Sequence, residues 1–354
     1  MVYSKTNLKK EGGEEMGRFI GVDLHKNMFV ACFLDPEKDE KIFKSYKLNR
    51  LNEFKKDLKQ EDVVAVETTT NTRYFVKGIK SAVKEVKVIN TTEFQVISKS
   101  VKKTDKNDAY VIATFLSKGM MPEVRMKEEK VSELGSLAQT RDKLVKLKTA
   151  LKNKIHSILS AQGIITEREC LSSEKGLEKA LSYRVSSIAR VELEVIVEQI
   201  RGLNEGIAKI DKELIERGKG LEGHDSITSI KGIGDKSGTI LLSVIGDIND
   251  FKDEKKLAAY FGIVPRVNNS NETVRQGRIT KRGNKLGRTT LVQCTLVAIK
   301  YSEYLRAFYL KIKNKKGSGK AIIATAKKLL GVIYHTLKNK WVFEDFPNFV
   351  LKAA

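Results

Sequence analysis

RFIGVDL, residues 18–24, is a short apolar run that closes on an acid, Asp23. VVAVE, residues 63–67, repeats the arrangement and closes on Glu67. Apolar runs this short, bounded by polar turns, read as strands covered on both faces. Two more strand candidates follow the first run, Met28–Leu34 and Lys41–Leu48, and then a short helix over Asn52–Gln60. The second run leads into a helical Tyr74–Val83 and a fifth strand, Val86–Asn90. A helix over Asp105–Lys118 then carries Val111, Ile112, Phe115 and Leu116 on one face. Three strands in quick succession, followed by βαβ crossovers, specify an α/β fold with a mixed sheet.

Parallel strands that end side by side bring Asp23 and Glu67 together at the sheet edge where open α/β sheets bind ligands. Asp105 and Asp108, spaced i, i+3, share one helix face. Four converging carboxylates repel one another and hold protons more tightly unless a cation neutralises them. Hard, oxygen-preferring Mg²⁺ suits such a set, and two ions about 4 Å apart stabilise the attacking and leaving oxygens of a phosphodiester. His25, next to Asp23, could face the site but reads first as a solvent-facing or structural residue.

The chain has 354 residues, with 66 Lys and Arg against 44 Asp and Glu and a formal net charge of +22. Such an excess points to a polyanionic partner, most often nucleic acid, rather than a neutral metabolite. The charge is local: residues 262–320 hold 14 basic residues and only two acids, Glu272 and Glu303. No apolar stretch is long enough for a transmembrane helix, and residues 1–15 read as a polar, disordered tail without the apolar centre of a signal peptide. Met16 sits just before the first strand and reads as the alternative start. Cys32, Cys170 and Cys294 form no pair or metal-binding spacing, which fits a reducing, cytoplasmic compartment and excludes a disulfide scaffold.

From residue 127 the character changes. Leu134, Leu137, Leu144, Leu147, Leu151, Ile155 and Ile158 fall at steps of three, four and seven, the spacing of a long helix with a heptad-like seam. Helix resumes over Val191–Leu214, after an irregular stretch near Gly163–Gly176. Two arrangements remain open, an antiparallel hairpin packed on itself and a coiled-coil dimerisation arm. Residues 221–354 read as helical with Gly-rich turns. Ile230–Gly238, IKGIGDKSG, looks like a helix–hairpin–helix, in which Gly232, Gly234 and Lys236 bind a phosphate at a helix N-terminus without reading sequence. Ala258–Pro265 (AAYFGIVP) leads into Arg266-Val267-Asn268-Asn269-Ser270 and then Arg275–Asn284, RQGRITKRGN. Arg266, Arg275, Arg278, Lys281 and Arg282 are the phosphate-binding candidates there. Lys311–Lys316 reads as a basic loop touching nucleic acid or solvent, and Trp341, Phe343 and Phe346 as core-closing aromatics.

Taken together, Gly21-Val22-Asp23-Leu24-His25-Lys26, Glu67-Thr68-Thr69 and Lys103-Thr104-Asp105-Lys106-Asn107-Asp108-Ala109 resemble the DEDD transposases of the insertion sequence 110 family, which are related to the Piv invertase. The order strand-Asp, strand-Glu, helix D-x-x-D is similar to the RuvC-like RNase H fold of Holliday-junction resolvases. The resemblance continues through Gly262-Ile263-Val264-Pro265 and GRITKRGN, and Ser270 stands where the family places a nucleophilic serine. The usual Ser-Ser-Gly surroundings read Asn269-Ser270-Asn271 here. From the residues alone, Ser270 is a polar loop residue.

The resemblance implies a RuvC-like catalytic domain over 16–125, a helical coiled-coil assembly region over 126–220 and a mostly helical transposase domain over 221–354. It implies Mg²⁺, two ions, held by Asp23, Glu67, Asp105 and Asp108, and a covalent phosphoserine at Ser270. It further implies DNA partners (element ends and target), a bridge RNA, a homo-oligomer (dimer or tetramer) in which one chain's RNase H-like domain meets another chain's serine domain, and a nucleoid-associated location in a bacterium or archaeon. Two other functions stay open: a metal-dependent junction resolvase without serine chemistry, and a non-catalytic nucleic-acid-binding protein. Against the latter stands a cluster of four acids inside a basic chain.

Overall fold

The computed structural model describes residues 17–344 except 39, 91–93, 95–103 and 271–272, and for 267–270 and 273–276 it describes the backbone alone. The expected tail over 1–15, Lys103 of the acidic motif and Phe346 of the expected core lie outside the described residues. The chain divides into two compact units, Met1–Met126 and Lys127–Ala354. No helix among the described residues is long and apolar enough to cross a membrane.

The first unit is a five-stranded mixed sheet with helices on both faces. β1 (Phe19–Leu24), β2 (Met28–Asp35) and β3 (Glu40–Lys47) form an antiparallel meander. α1 (Leu51–Asp57) leads to β4 (Val63–Glu67), and α2 (Thr72–Ile79) to β5 (Glu85–Ile89). β4 lies parallel to β1, and β5 parallel to β4, giving the order β3-β2-β1-β4-β5. α3 (Asp105–Ser117) closes the unit. α1 and α2 end three or four residues earlier than the sequence expectation, α2 passing into a 3₁₀ turn over Lys80–Ala82.

Alternation along β1 sends its residues to two different layers. Ile20, Val22 and Leu24 join the core under α1 and α2, where Phe29 meets Phe54 and Phe75 edge-on, with ring centroids 5.1 Å apart in both pairs. Gly21 and Asp23 face α3. An added Cβ at Gly21 would stand 2.1 Å from the Ala109 carbonyl oxygen and 2.4 Å from the Ala113 nitrogen. The strand thus admits the helix at backbone contact, across small residues on both sides.

The second unit is mostly helical. α4 (Glu129–Ala161), α5 (Glu174–Ser182) and α6 (Ser187–Gly218) form an arm. Lys154 reaches Glu192, Lys148 bonds Asn204 and Arg141 pairs with Asp211, so α4 and α6 run antiparallel and the seam closes within the chain. Their far end has its own core, in which Ile155, Ile158 and Leu159 pack with Leu177, Leu193 and Val197. α5 begins at the end of the stretch expected to be irregular, near Gly163–Gly176.

α7 (His224–Thr228) and α8 (Asp235–Ile245) follow, and every residue of α8 from Gly238 to Ile245 is buried. The Lys127 ammonium donates to the Ser243 carbonyl at 2.8 Å and the Val244 carbonyl at 2.5 Å, closing the C-terminus of α8. α9 (Glu254–Tyr260), α10 (Lys285–Tyr301), α11 (Glu303–Lys316) and α12 (Ser318–Lys338) share one hydrophobic core with α8.

Three expectations need correction here. β6 (Pro265–Ser270) and β7 (Thr273–Ile279) form an antiparallel hairpin in a region read as helices and turns. KIKNKK at 311–316 is the last stretch of α11, not a loop, because no residue in it breaks a helix before Gly317, whose φ is +79°. Trp341 is 57% exposed: α12 ends at Lys338, and Trp341 donates its amide to the Thr336 carbonyl at 2.9 Å, which turns the chain back over the helix end.

Gly21→Ala is expected to force α3 off the sheet and cost about 1–3 kcal/mol, the usual range for overpacking a close contact. Urea unfolding measures this. An unchanged midpoint would show that α3 does not depend on the gap.

Candidate functional site

The four acids sit on three elements of the first unit. Asp23 is next to last in β1 and Glu67 last in β4. In the parallel register Val22 stands opposite Val66, one residue before the acid in each strand. Asp105 and Asp108 lie in the first turn of α3, capped by Thr104, whose Oγ1 accepts from the Asn107 amide at 3.3 Å. Carboxylates belong in a first turn, where the helix dipole is positive.

His25 joins them. Its Nε2 lies 3.3 Å from Asp23 Oδ2 and 3.4 Å from Asp105 Oδ2. Ligand atoms of Asp23, His25 and Asp105 all fall within 4.8 Å of one another, a spacing able to hold a metal ion. The sequence reading set His25 aside as solvent-facing or structural. Only its neighbour Asp23 hinted otherwise, because the direction of a turn side chain is decided by what packs opposite. Here that is the start of α3.

Asp23 is 9% exposed. Burial is the main cause that holds its carboxyl above the usual range; the His25 imidazole opposes this, while Asp105 and Asp108 add to it. Glu67 is raised in the same way, by burial first and then by Asp23 and Asp108. Asp108 Oδ1 is buried with no hydrogen-bond partner. An orphaned buried carboxylate oxygen costs free energy that a cation would recover. Carboxylate oxygens with one imidazole nitrogen make a chemically suitable donor set for a divalent ion. The residues therefore fit a divalent metal.

The threonines after Glu67 hold its backbone. Thr72 Oγ1 donates to the Glu67 carbonyl and accepts from the Thr69 amide, both at 2.7 Å. Thr68 Oγ1 donates to the Ile89 carbonyl at 2.7 Å, tying β4 to β5. Asn71 Nδ2 donates to the Lys26 carbonyl at 2.9 Å and the His25 carbonyl at 3.3 Å, which fixes the turn that carries His25.

In the second unit, Ser270 ends β6 and pairs with Thr273 at the end of the hairpin. The side chains of Ser270 and Arg275 lie outside the described residues. Arg266, Arg278, Lys281 and Arg282 are exposed on or beside the hairpin. The motif around them also builds its base. Gly262 (φ +66°) has the Arg282 carbonyl oxygen 2.1 Å from where a Cβ would be, and Gly283 (φ +115°) has the Tyr260 carbonyl oxygen at 2.0 Å. Lys281 donates its amide to the Gly262 carbonyl at 3.1 Å, and Asn284 Oδ1 caps α10 by accepting from the Gly287 amide at 2.9 Å.

Two members of the IKGIGDKSG stretch have intramolecular duties. Gly232 (φ +105°) meets α10, with the Ala298 nitrogen 2.6 Å from a would-be Cβ. The Lys236 ammonium bonds Asp211 at 2.8 Å. Gly234, the residue before α8, has open space around it and leaves the helix N-terminus uncapped by any side chain.

Comparison with known proteins gives consistent matches across the chain. A profile of DEDD transposases of the IS110 type matches residues 20–163, and the profile of the Transposase IS116/IS110/IS902 family matches residues 224–310. The chain is 27% identical over 328 residues to the transposase for insertion sequence element IS1111A of Coxiella burnetii, covering 90% of this chain and 89% of that one. It is 26% identical over 350 residues to the pilin gene-inverting protein of Moraxella lacunata, covering 92% and 97%. A third relative, the transposase for insertion sequence element IS1328 of Yersinia enterocolitica, is 26% identical over 290 residues, 80% of this chain and 85% of the other.

The raised carboxyls bind protons more tightly folded than unfolded. In the metal-free protein, stability therefore falls as pH rises from the ordinary carboxylate range through the raised values. Asp23→Asn removes one buried charge and is expected to melt a few degrees higher than the parent at pH 7 in EDTA. Mg²⁺ or Mn²⁺ should then raise the parent's melting temperature and leave the variant's nearly unmoved. A parent indifferent to divalent ions would refute the cation site.

Proposed function

The chain belongs to the IS110/IS116 transposase family, whose activity is cutting and rejoining DNA, and from that premise we propose how its own residues do so. Asp23, Glu67, Asp105 and Asp108 hold Mg²⁺, two ions, with His25 at their edge. The observation that carries this is the buried, unpartnered Asp108 Oδ1 beside the Asp23 and Glu67 carboxyls, which burial and like-charged neighbours push above the usual carboxylate range. Bound Mg²⁺ supplies charge stabilisation for the oxygens at a phosphodiester under attack.

Ser270 is the nucleophile. Its Oγ forms a bond to phosphorus as the bond from phosphorus to a deoxyribose oxygen breaks, and that oxygen leaves as a free hydroxyl with a proton. A hydroxyl from another strand later reverses the exchange and frees the serine. One phosphodiester is traded for another, so no nucleotide cofactor is needed. Support for Ser270 comes from its place between Pro265 and GRITKRGN and from the exposed Arg266, Arg278, Lys281 and Arg282 around it. Those cations suit phosphates beside the developing charge, and Arg275 completes the set by sequence. The open N-terminus of α8 at Gly234 is the part of the helix–hairpin–helix best suited to a further phosphate.

Element ends and target DNA are the substrates, and a bridge RNA encoded with the element guides the choice between them; this rests on family resemblance. Recombination rather than simple nicking agrees with the likeness to a pilin gene-inverting protein. The α4–α6 arm serves self-association. Ile188, Val191 and Val195 leave an apolar stripe exposed on α6, spaced i, i+3 and i+7, the pattern one helix offers another.

Asp23→Asn, Glu67→Gln, Asp105→Asn or Asp108→Asn is expected to lower strand cutting on element-end DNA by roughly a thousandfold or more, the scale on which catalytic units fail. Ser270→Ala should abolish the covalent protein–DNA adduct seen on a denaturing gel. Full-rate cleavage by Ser270→Ala would favour a resolvase that uses water in place of serine. Val191→Asp with Val195→Asp should shift the protein to a monomer in light scattering, and an unchanged mass would remove the arm from assembly.

A further inference from the structure

A cavity of about 750 Å³ opens in the first unit, outside the acid cluster. Lys26 and Asn27 of the β1–β2 turn line it, with Tyr46 and Lys47 at the end of β3, Asn49 in the 3₁₀ turn after it and Tyr74 on α2. No carboxylate contributes to the lining. Its wall is held by hydrogen bonds already formed: Asn71 ties α2 to the Lys26 carbonyl at 2.9 Å, and the Leu48 amide donates to the Asn27 carbonyl at 2.9 Å.

The β1–β2 turn serves both places. His25 reaches Asp23 and Asp105, and the next residue, Lys26, lines the cavity. Tyr74 is 58% exposed, while Phe75 and Ile79 of the same helix are fully buried. α2 therefore spends its apolar face on the core and still shows an aromatic ring at the cavity. The exposed ring of Tyr74 (Tyr46 being buried), two lysines and two carboxamides are the groups that hold an unstacked nucleotide. The ring stacks the base, the ammonium groups take the phosphate, and the carboxamides meet the base edge.

We propose that this groove binds one nucleotide of single-stranded DNA next to the strand held at the acids. Tyr74 stacks its base, and Lys26 and Lys47 bind its phosphate. Cutting and exchanging strands exposes unpaired nucleotides beside the scissile phosphate, and a groove one residue along the turn from His25 is where such a nucleotide has room to leave the stack. The assignment rests on the acids being the cutting site, so the test keeps the two readings apart.

The probe is a single-stranded oligonucleotide carrying 2-aminopurine, titrated with the full chain in EDTA so that no cutting occurs. The parent should bind it and quench its fluorescence. Tyr74→Ala should weaken binding about tenfold, within the range that base–aromatic stacking carries, and lose the quench. Tyr74→Phe should keep both, and Lys47→Ala should lower the slope of log affinity against log salt by about one. Asp23→Asn should bind and quench like the parent while losing cleavage when Mg²⁺ is restored. If Asp23→Asn still cuts, the reading of the acids fails and the groove stands on its binding data. If Tyr74→Ala binds and quenches like the parent, or loses duplex binding equally, the groove proposal is overturned.

Discussion

The first unit depends on the backbone contact between Gly21 and α3. Any other residue at position 21 would place its Cβ on the Ala109 carbonyl and the Ala113 amide. The helix would then ride higher on the sheet, and its first turn would move away from the strand ends. Asp105 reaches His25, and Asp108 buries an oxygen, because α3 lies this close. The residues that pack here are the smallest available, a buried Gly21 against the fully buried Ala109 and Ala113. Bulk is exchanged for proximity, and proximity lets two residues of a helix act with one of a strand.

Electrostatics completes the arrangement. A chain with formal charge +22 carries exposed basic residues around the β6–β7 hairpin and a cluster of acids in the first unit. Burial at that point raises the Asp23 and Glu67 carboxyls, and their like-charged neighbours raise them further. In a low-dielectric site such a set is stable only with protons or metal. A phosphate that approaches the acids meets charge of its own sign wherever they are bare. A divalent cation removes that conflict.

Much of this was legible beforehand, and the reasons differ by element. The strands of the first unit read correctly because RFIGVDL and VVAVE are apolar, short and sharply bounded. Asp105 and Asp108 read as a pair because i, i+3 is a fixed helical relation. His25 did not, since nothing local says which way a turn side chain points. The β6–β7 hairpin was missed because Val267, Val274 and Ile279 are scattered among charged and amide residues, which hides a two-residue period. In GRITKRGN the charge was plain, but Gly283 and Asn284 turned out to carry the base of the hairpin and the cap of α10.

The sequence by itself determined the order of strands and helices in the first unit, the strand ends on which Asp23 and Glu67 fall, and the antiparallel or dimeric choice open to the leucine-spaced arm. These follow from period and turn chemistry, which are properties of neighbouring residues. The tertiary structure alone decided that the arm closes on itself through Arg141–Asp211 and Lys154–Glu192, that His25 joins the acids, and that Tyr74 faces a cavity. Each of these is a meeting of residues far apart in the chain. Distance between them is set by how closely elements pack, and in this protein that closeness is set by glycines such as Gly21, whose missing side chains leave no mark on any periodicity.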